Sequence, residues 1–280
     1  MTFFGSAKYS DSSERSPNTL AKLERLRKTF AHEEADRVPI SDFFWGSFTK
    51  RWRQELDLPD DADPYRHYDL DFIVTVPNMD PHIRDSETVT EDDEEVVVTT
   101  GFETKIRKRF DLPMPEQISW ETDTIEKMEA FEFDDPWDQR RYFEAGDNQI
   151  AGVGDGFERN SPPWVETVRG LHPDFPVYGS ITEASEITTR LLGQLNTLTW
   201  IGEYPERFGE QLLRIGEFSY EVAKAQIEAA EGLLDGMVIW GDAAYKKGLF
   251  MGPTYWRKYY KPTIARIIEL SHSHGLPVMF

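Results

Sequence analysis

The residues with most chemistry to offer are carboxylates placed just after short apolar runs. In Val238-Ile239-Trp240-Gly241-Asp242 such a run delivers an aspartate into a glycine-loosened turn, with Tyr245 close behind. A low-dielectric mouth around Asp242 would raise its pKa toward neutrality and suit it to general acid or base work. The plainer role is capping the next turn or pairing with Lys246 or Lys247. Asp155 stands between two glycines, a pattern equally at home in a site and in an ordinary turn. Asn78 and Asp80 follow residues 72–76, Ser180 and Glu183 follow residues 175–178, and Asp42 and Trp45 follow residues 38–40. This largely acidic set fits proton transfer, oxygen coordination of a metal, or contacts to NH groups of a substrate. Asp242 and Asp155 are therefore the catalytic candidates. Trp45, Asn78, Asp80, Ser180, Glu183 and Tyr245 are the candidates for substrate binding.

Those positions matter only if strands present them at one end. Residues 38–40, 72–76, 175–178, 237–240 and 277–280 read as short strands, several of them apolar on both faces, as in a parallel, helix-covered sheet. Helices are expected between them. One opens at Ser16-Pro17 with Leu20, Leu23, Leu26 and Phe30 on an apolar face. Others run from Glu183 to Gly193, from Pro205 to Gly232, and from Pro253 to Gly275 with a kink at Pro262. Right-handed crossovers would curl such units around a (β/α)8 barrel, in which functional groups gather at the C-terminal strand ends. Five or six strands are visible, so the reading is of a barrel's N-terminal portion over residues 17–280, behind a disordered polar tail at 1–16. A doubly wound sheet competes, but no G-x-G-x-x-G follows a strand. Residues 87–110 form an insertion: 96–100 and 104–110 pair as a β-hairpin about Gly101-Phe102-Glu103, with acidic and basic arms suiting a solvated excursion.

Some clusters read as structural. Glu186 and Arg190 are four apart on a helix and make an ordinary ion pair, while Glu183 near the helix start is also favoured by the macrodipole. His272 and His274 are two apart and cannot form a metal pair of the i, i+4 kind; His272 is expected to pack on the sheet. Tyr255, Trp256, Tyr259 and Tyr260 read as core. No G-x-S-x-G, H-E-x-x-H or P-loop occurs. The 51 acidic against 31 basic residues give a net charge of −20, which disfavours nucleic acid and anionic membrane surfaces. No apolar stretch approaches the ~20 residues of a membrane span, and the start lacks a signal-peptide pattern. The absence of cysteine fits a reducing compartment, and a cytoplasmic location is expected.

The segment from Leu233 to Phe280 carries a resemblance. Asp235-Gly236-Met237-Val238-Ile239-Trp240-Gly241-Asp242, Lys247-Gly248-Leu249-Phe250-Met251-Gly252-Pro253, Tyr260-Lys261-Pro262 and His274-Gly275-Leu276-Pro277-Val278-Met279-Phe280 resemble the uroporphyrinogen decarboxylase family. Arg37-Val38-Pro39-Ile40 is similar to that family's entry strand. The resemblance implies a barrel enzyme that decarboxylates a tetrapyrrole or similar acidic substrate without a cofactor, Asp242 serving as acid/base or NH-binding group. It also implies an alternative, the corrinoid-dependent methyltransferases of the same superfamily, with zinc, a corrinoid and a corrinoid-carrying protein partner. A third alternative is an incomplete barrel without activity; a homodimer is compatible with each. Two departures stand out. The segment Asp42-Phe43-Phe44-Trp45-Gly46-Ser47-Phe48 lacks the family's arginines up to Arg51, and Asp80 falls three residues after the second strand's expected aspartate position. A mouth lined by Asp42, Asp80, Asp155 and Asp242 repels a polyanion unless arginines from elsewhere compensate.

Overall fold

The computed structural model describes residues 14–152 and 157–280. The chain opens with helices α1 (Pro17–Phe30), α2 (Gly46–Glu55) and α3 (Pro64–His67), then strand β1 (Ile73–Val74). A four-stranded antiparallel sheet follows, β2 (Glu87–Glu91), β3 (Glu95–Thr99), β4 (Thr104–Arg109) and β5 (Glu116–Trp120), paired in chain order. Helices α4 (Ile125–Ala130) and α5 (Arg140–Phe143) lead to the small β6 (Gly146–Asn148) and β7 (Glu158–Ser161) pair and α6 (Trp164–Leu171). The remainder alternates: β8 (Val177–Thr182), α7 (Ala184–Glu203), α8 (Pro205–Ala229), β9 (Gly236–Trp240), β10 (Ala244–Tyr245), β11 (Gly248–Leu249), α9 (Pro253–Tyr259), α10 (Lys261–Ser273) and β12 (Val278–Met279).

Strands β1, β8, β9 and β12 form one parallel sheet whose order follows the chain order. Successive right-handed crossovers in one direction keep their helices on one face, without the reversal that a doubly wound sheet requires. That face is built from Ile181 and Ile239 packed with Ile187, Leu212, Ile215 and Ile264, and from Val177 and Met237 packed with Trp164, Ala225 and Leu234. The other face carries Tyr178 and Val238 with Phe72, Val74, Trp240 and Met279 around Leu26 of α1. The expected parallel α/β arrangement is therefore present, as an open four-stranded sheet among the described residues.

Four local expectations are corrected. Residues 38–40 form no strand: Val38 is 79% exposed, and the segment is tied on by its backbone, Asp71 N donating to Ile40 O at 2.7 Å. In α1 the buried residues are Thr19, Lys22, Arg25 and Leu26, whereas Leu20 and Phe30 are exposed. Ion pairs decide this orientation: Lys22 reaches Asp69 at 2.6 Å, and Arg25 with Arg37 converges on the fully buried Asp71. The polar tail is anchored at its end, where Arg15 donates to the Asp235 carboxylate at 2.8 Å and Ser16 N to Pro173 O at 2.9 Å. His272 is exposed and does not pack on the sheet.

The expected hairpin is β3–β4, extended to four strands by β2 and β5. Glu95–Arg107 and Arg107–Glu116 pairs at 3.6 and 3.4 Å run across it. It is no solvated excursion: Trp120 packs over Gly193 and Thr122 Oγ1 donates to Leu191 O, which docks the sheet on α7. Gly193 breaks α7 with φ 77°, so the helix expected to end there bends and continues to Glu203.

Close helix packing generates a stability prediction. Glycine in a helix interior costs roughly 1 kcal/mol relative to alanine, so Gly202→Ala, with open space at its Cβ, should raise the melting temperature. Gly209→Ala should lower it, because the added methyl would stand 2.2 Å from the Tyr259 ring of α9. Thermal denaturation of the two variants should move in opposite directions.

Candidate functional site

The loops beyond β8 and β9 and the overlying antiparallel sheet enclose a cavity of about 630 Å³. Its polar lining comes from Ser185, Glu186 and Arg190 of α7, Asp242 and Tyr245 after β9, Gln149 and Tyr260. Its apolar lining includes Ile106 of β4 and Met114 beside β5, so the insertion roofs the site. This is the C-terminal end of a parallel sheet, where open strand ends and helix starts leave polar groups free to face a ligand.

Glu183 is set by the backbone. Its N–H donates to Trp240 O at 2.9 Å, a last rung beyond β8, and α7 begins at the next residue. The side chain caps that helix, accepting from Ser185 N at 3.0 Å and from the Ser185 hydroxyl. Gly241 lies directly against it: a Cβ there would stand 2.4 Å from Glu183 Oε1. With 2% exposure the carboxyl is pushed up to about 7, burial being the main cause, with Glu186 and Asp242 adding like-charge repulsion. Ser185 separates it from the cavity.

Glu186 lies three residues further along the helix and lines the cavity itself. Burial raises its pKa; Arg190, 3.5 Å away, opposes this, while the Asp242 carboxylate, within hydrogen-bonding reach, reinforces it. Asp242 is exposed, so the burial expected to tune it falls instead on Glu183 and Glu186. Nor does it serve chiefly as a turn cap or lysine partner; it faces Glu186. Tyr245, 62% exposed, forms the rim, its ring stacked on Phe250 at 6.0 Å.

Asp80 is buried one layer behind. Its carboxylate accepts from Gln149 N at 2.8 Å and Ile150 N at 3.4 Å. Burial pushes it up to about 6 against those bonds and the nearby charges of Arg190 and Arg141. It is bonded to the Gln149 and Ile150 backbone and is not among the residues that line the cavity. Three candidates lie elsewhere. Asn78 is occupied structurally, donating to Asp147 O at 3.0 Å and accepting from Asp80 N at 3.0 Å. Ser180 is fully buried: its hydroxyl donates to Thr75 O at 2.7 Å, and its backbone N–H and C=O are both bonded by the Gln226 amide where β1 ends. Trp45 precedes α2, and its neighbours Phe43 and Phe44 line a separate cavity of about 570 Å³ with Tyr65 and Trp164. Asp155 lies outside the described residues.

The site thus unites Glu183, Asp242 and Tyr245 from the sequence reading, with Asp80 behind. It adds Glu186 and Arg190, whose ion pair was foreseen but whose place in a cavity was not. Gln149 and Tyr260 gave no signal beyond apolar or aromatic surroundings. Among the described residues, no group of three or more His, Asp or Glu side chains is arranged to hold a metal ion.

The site's three raised acids, Glu183, Glu186 and Asp80, make stability depend on pH. A carboxyl that holds its proton more tightly when folded is harmless below its unfolded pKa and destabilising above its folded one. For Glu183 the loss accrues between the ordinary value of 4.5 and about 7, up to roughly 3 kcal/mol at one unit per 1.36 kcal/mol. Glu183→Gln, which keeps an acceptor for Ser185, should therefore unfold at a higher temperature than wild type above neutrality. The difference should vanish in acid below the unfolded pKa. Melting curves across that range check both signs.

Neither any model of a known family nor any curated protein matches the chain.

Proposed function

We propose that the chain is an acid–base enzyme that decarboxylates a small acidic substrate without a cofactor, on a (β/α)8-type barrel resembling uroporphyrinogen decarboxylase. The observation that carries this reading is the pair of carboxyls Glu186 and Asp242 that line one cavity with Arg190 at the ends of β8 and β9. Parallel strands in chain order, with α6, α7, α8 and α10 packed on one face, support the barrel.

Two neighbouring carboxyls in different surroundings divide the work of acid and base. Glu186, its pKa raised by burial and by its neighbour Asp242, is the proton donor, and Asp242 stands exposed beside it. In decarboxylation the C–C bond breaks, CO2 leaves with the carboxylate oxygens, and the electron pair left on carbon takes the Glu186 proton. Glu183 beneath Ser185 adds a second buried reservoir whose charge responds to the pair. A tetrapyrrole carrying many carboxylates meets only one cation, Arg190, among the residues lining this cavity, so a smaller acid suits the charge better.

Release of labelled CO2 from carboxyl-labelled acids, uroporphyrinogen among them, tests the reading. Glu186→Gln should lower kcat by about 10²–10⁴-fold, the usual worth of a positioned proton donor, while the circular dichroism spectrum of the folded chain is retained. If CO2 release is absent and the chain instead demethylates methylcobalamin when zinc is supplied, the decarboxylase reading is overturned in favour of methyl transfer.

A further inference from the structure

Glu186 and Arg190 put opposite charges into the cavity wall one helical turn apart on α7. Arg190 is the one cation among the described residues that line the cavity. Their closest approach is 3.5 Å, and both side chains keep accessible surface, 19% for Glu186 and 29% for Arg190. A closed guanidinium–carboxylate pair brings nitrogen and oxygen to about 2.7–2.9 Å, as Arg207 does on Glu129 with two bonds of 2.8 Å. The Arg190 pair is therefore an open one beside a space that can hold a ligand. A free carboxylate entering that space can make the closed contact that Glu186 does not make.

The charges around Glu186 decide what such an exchange does. Arg190 favours the Glu186 carboxylate, whereas burial and Asp242 favour the protonated acid. Glu183, at the start of the same helix, meets Glu186 and Asp242 as like charges. Asp80, one layer behind, also feels Arg190. Tyr260 lines the cavity with a phenol whose pKa burial raises, and Tyr245 stands exposed at the rim. The overlying sheet and its approach contribute Ile106, Met114 and Gln117, none of them titratable. An anion that engages Arg190 thus leaves Glu186 among carboxyls, with its opposing cation occupied.

We propose that a substrate's carboxylate seats on Arg190, displaces Glu186 from it, and so draws one proton from solvent onto the Glu186 carboxylate as it binds. The binding linkage stands by itself; its use in turnover rests on the decarboxylase reading. Binding then loads the donor that the reaction consumes, and the charges balance through the cycle. With substrate bound, Arg190 faces the substrate carboxylate and Glu186 carries the proton. The C–C bond breaks, CO2 leaves, and the electron pair left on carbon takes that proton. Glu186, a carboxylate again, returns to Arg190. The cation has an anionic partner before and after the step, so its hold on the starting acid is offset by its hold on Glu186 afterwards. A neutral ligand leaves the Glu186–Arg190 pair as it is.

Calorimetric titration of the full chain with 3-phenylpropanoate and with its uncharged amide, in HEPES and in Tris at equal pH, reads affinity and protons together. The phenyl group suits the apolar lining of Ile106, Leu198, Ile201 and Phe250. The difference in heat between the two buffers gives the protons taken up. At neutral pH the acid should take up a measurable fraction of a proton and the amide none. By reciprocity the acid's affinity should fall as pH rises, by up to about tenfold per pH unit, while that of the amide stays level. Glu186→Gln should bind the acid at least as tightly, with neither proton uptake nor that pH dependence. Arg190→Gln should weaken the acid about tenfold or more relative to the amide. Arg190→Lys should recover part of that loss, which a purely structural arginine would not explain. Equal binding of acid and amide by the wild type, proton uptake that persists in Glu186→Gln, or unchanged acid affinity in Arg190→Gln overturns the inference. Proton uptake on binding, with no CO2 released from any labelled acid, upholds the inference and overturns the decarboxylase reading. CO2 release that Glu186→Gln abolishes, with no proton taken up on binding, does the reverse.

Discussion

Burial of the Glu183 carboxyl at the junction of β8, β9 and α7 is the constraint on which the site turns. The residue's N–H completes the ladder to Trp240, its side chain caps α7, and Gly241 admits it by lacking a Cβ. No freedom is left for the carboxyl to find water. A charge there is expensive, so the group holds its proton to about 7. The same junction fixes the direction of α7, and three residues along a helix is nearly one turn. Glu186 therefore emerges on the Glu183 side of the helix, into the cavity, with Arg190 a further turn on. Strand end, cap and acid pair are one geometric unit.

What could be read from the sequence follows from how local each determinant is. The strands of the parallel sheet and the long helices were visible because their apolar runs and proline or glycine boundaries are properties of neighbouring residues. The kink expected at Pro262 is present as the break at Tyr260 between α9 and α10. The orientation of α1 was not visible. Its apolar stripe lost to Lys22 and Arg25, whose acidic partners Asp69 and Asp71 lie more than forty residues away. Residues 38–40 likewise looked like a strand, but Ile40 is held by Asp71 alone, its C=O accepting from Asp71 N and its N–H donating to the Asp71 carboxylate.

The site divides in the same manner. Glu183, Asp242 and Tyr245 were found by asking which polar residues follow apolar strands. Glu186 and Arg190 were correctly paired as helix neighbours, yet a pairing rule says nothing about what covers the helix. The cover is the β2–β5 sheet, and its charge pattern of Glu95, Arg107 and Glu116 reads as a solvated surface when seen alone. Ile106 on the same strand as Arg107 points the other way, into the cavity. Alternation along one strand thus gives a wet face and a ligand-facing one.

Gln149 shows how far the positioning of a site extends beyond its sheet. Arg141 is 1% exposed and has carbonyl oxygens for partners, at Asn78, Asp80, Asp134 and Asp135. A buried guanidinium satisfied by backbone acceptors fixes the path of the chain beyond β1, because each carbonyl must keep its place for the cation to remain bonded. That path delivers the Asp80 carboxylate to the backbone of Gln149 and Ile150, and Thr100 from the antiparallel sheet then sets the amide's rotation. The Gln149 amide is held by three segments that share no strand of the parallel sheet. Its orientation is therefore fixed by the fold beside the cavity wall and not by the cavity's own strands.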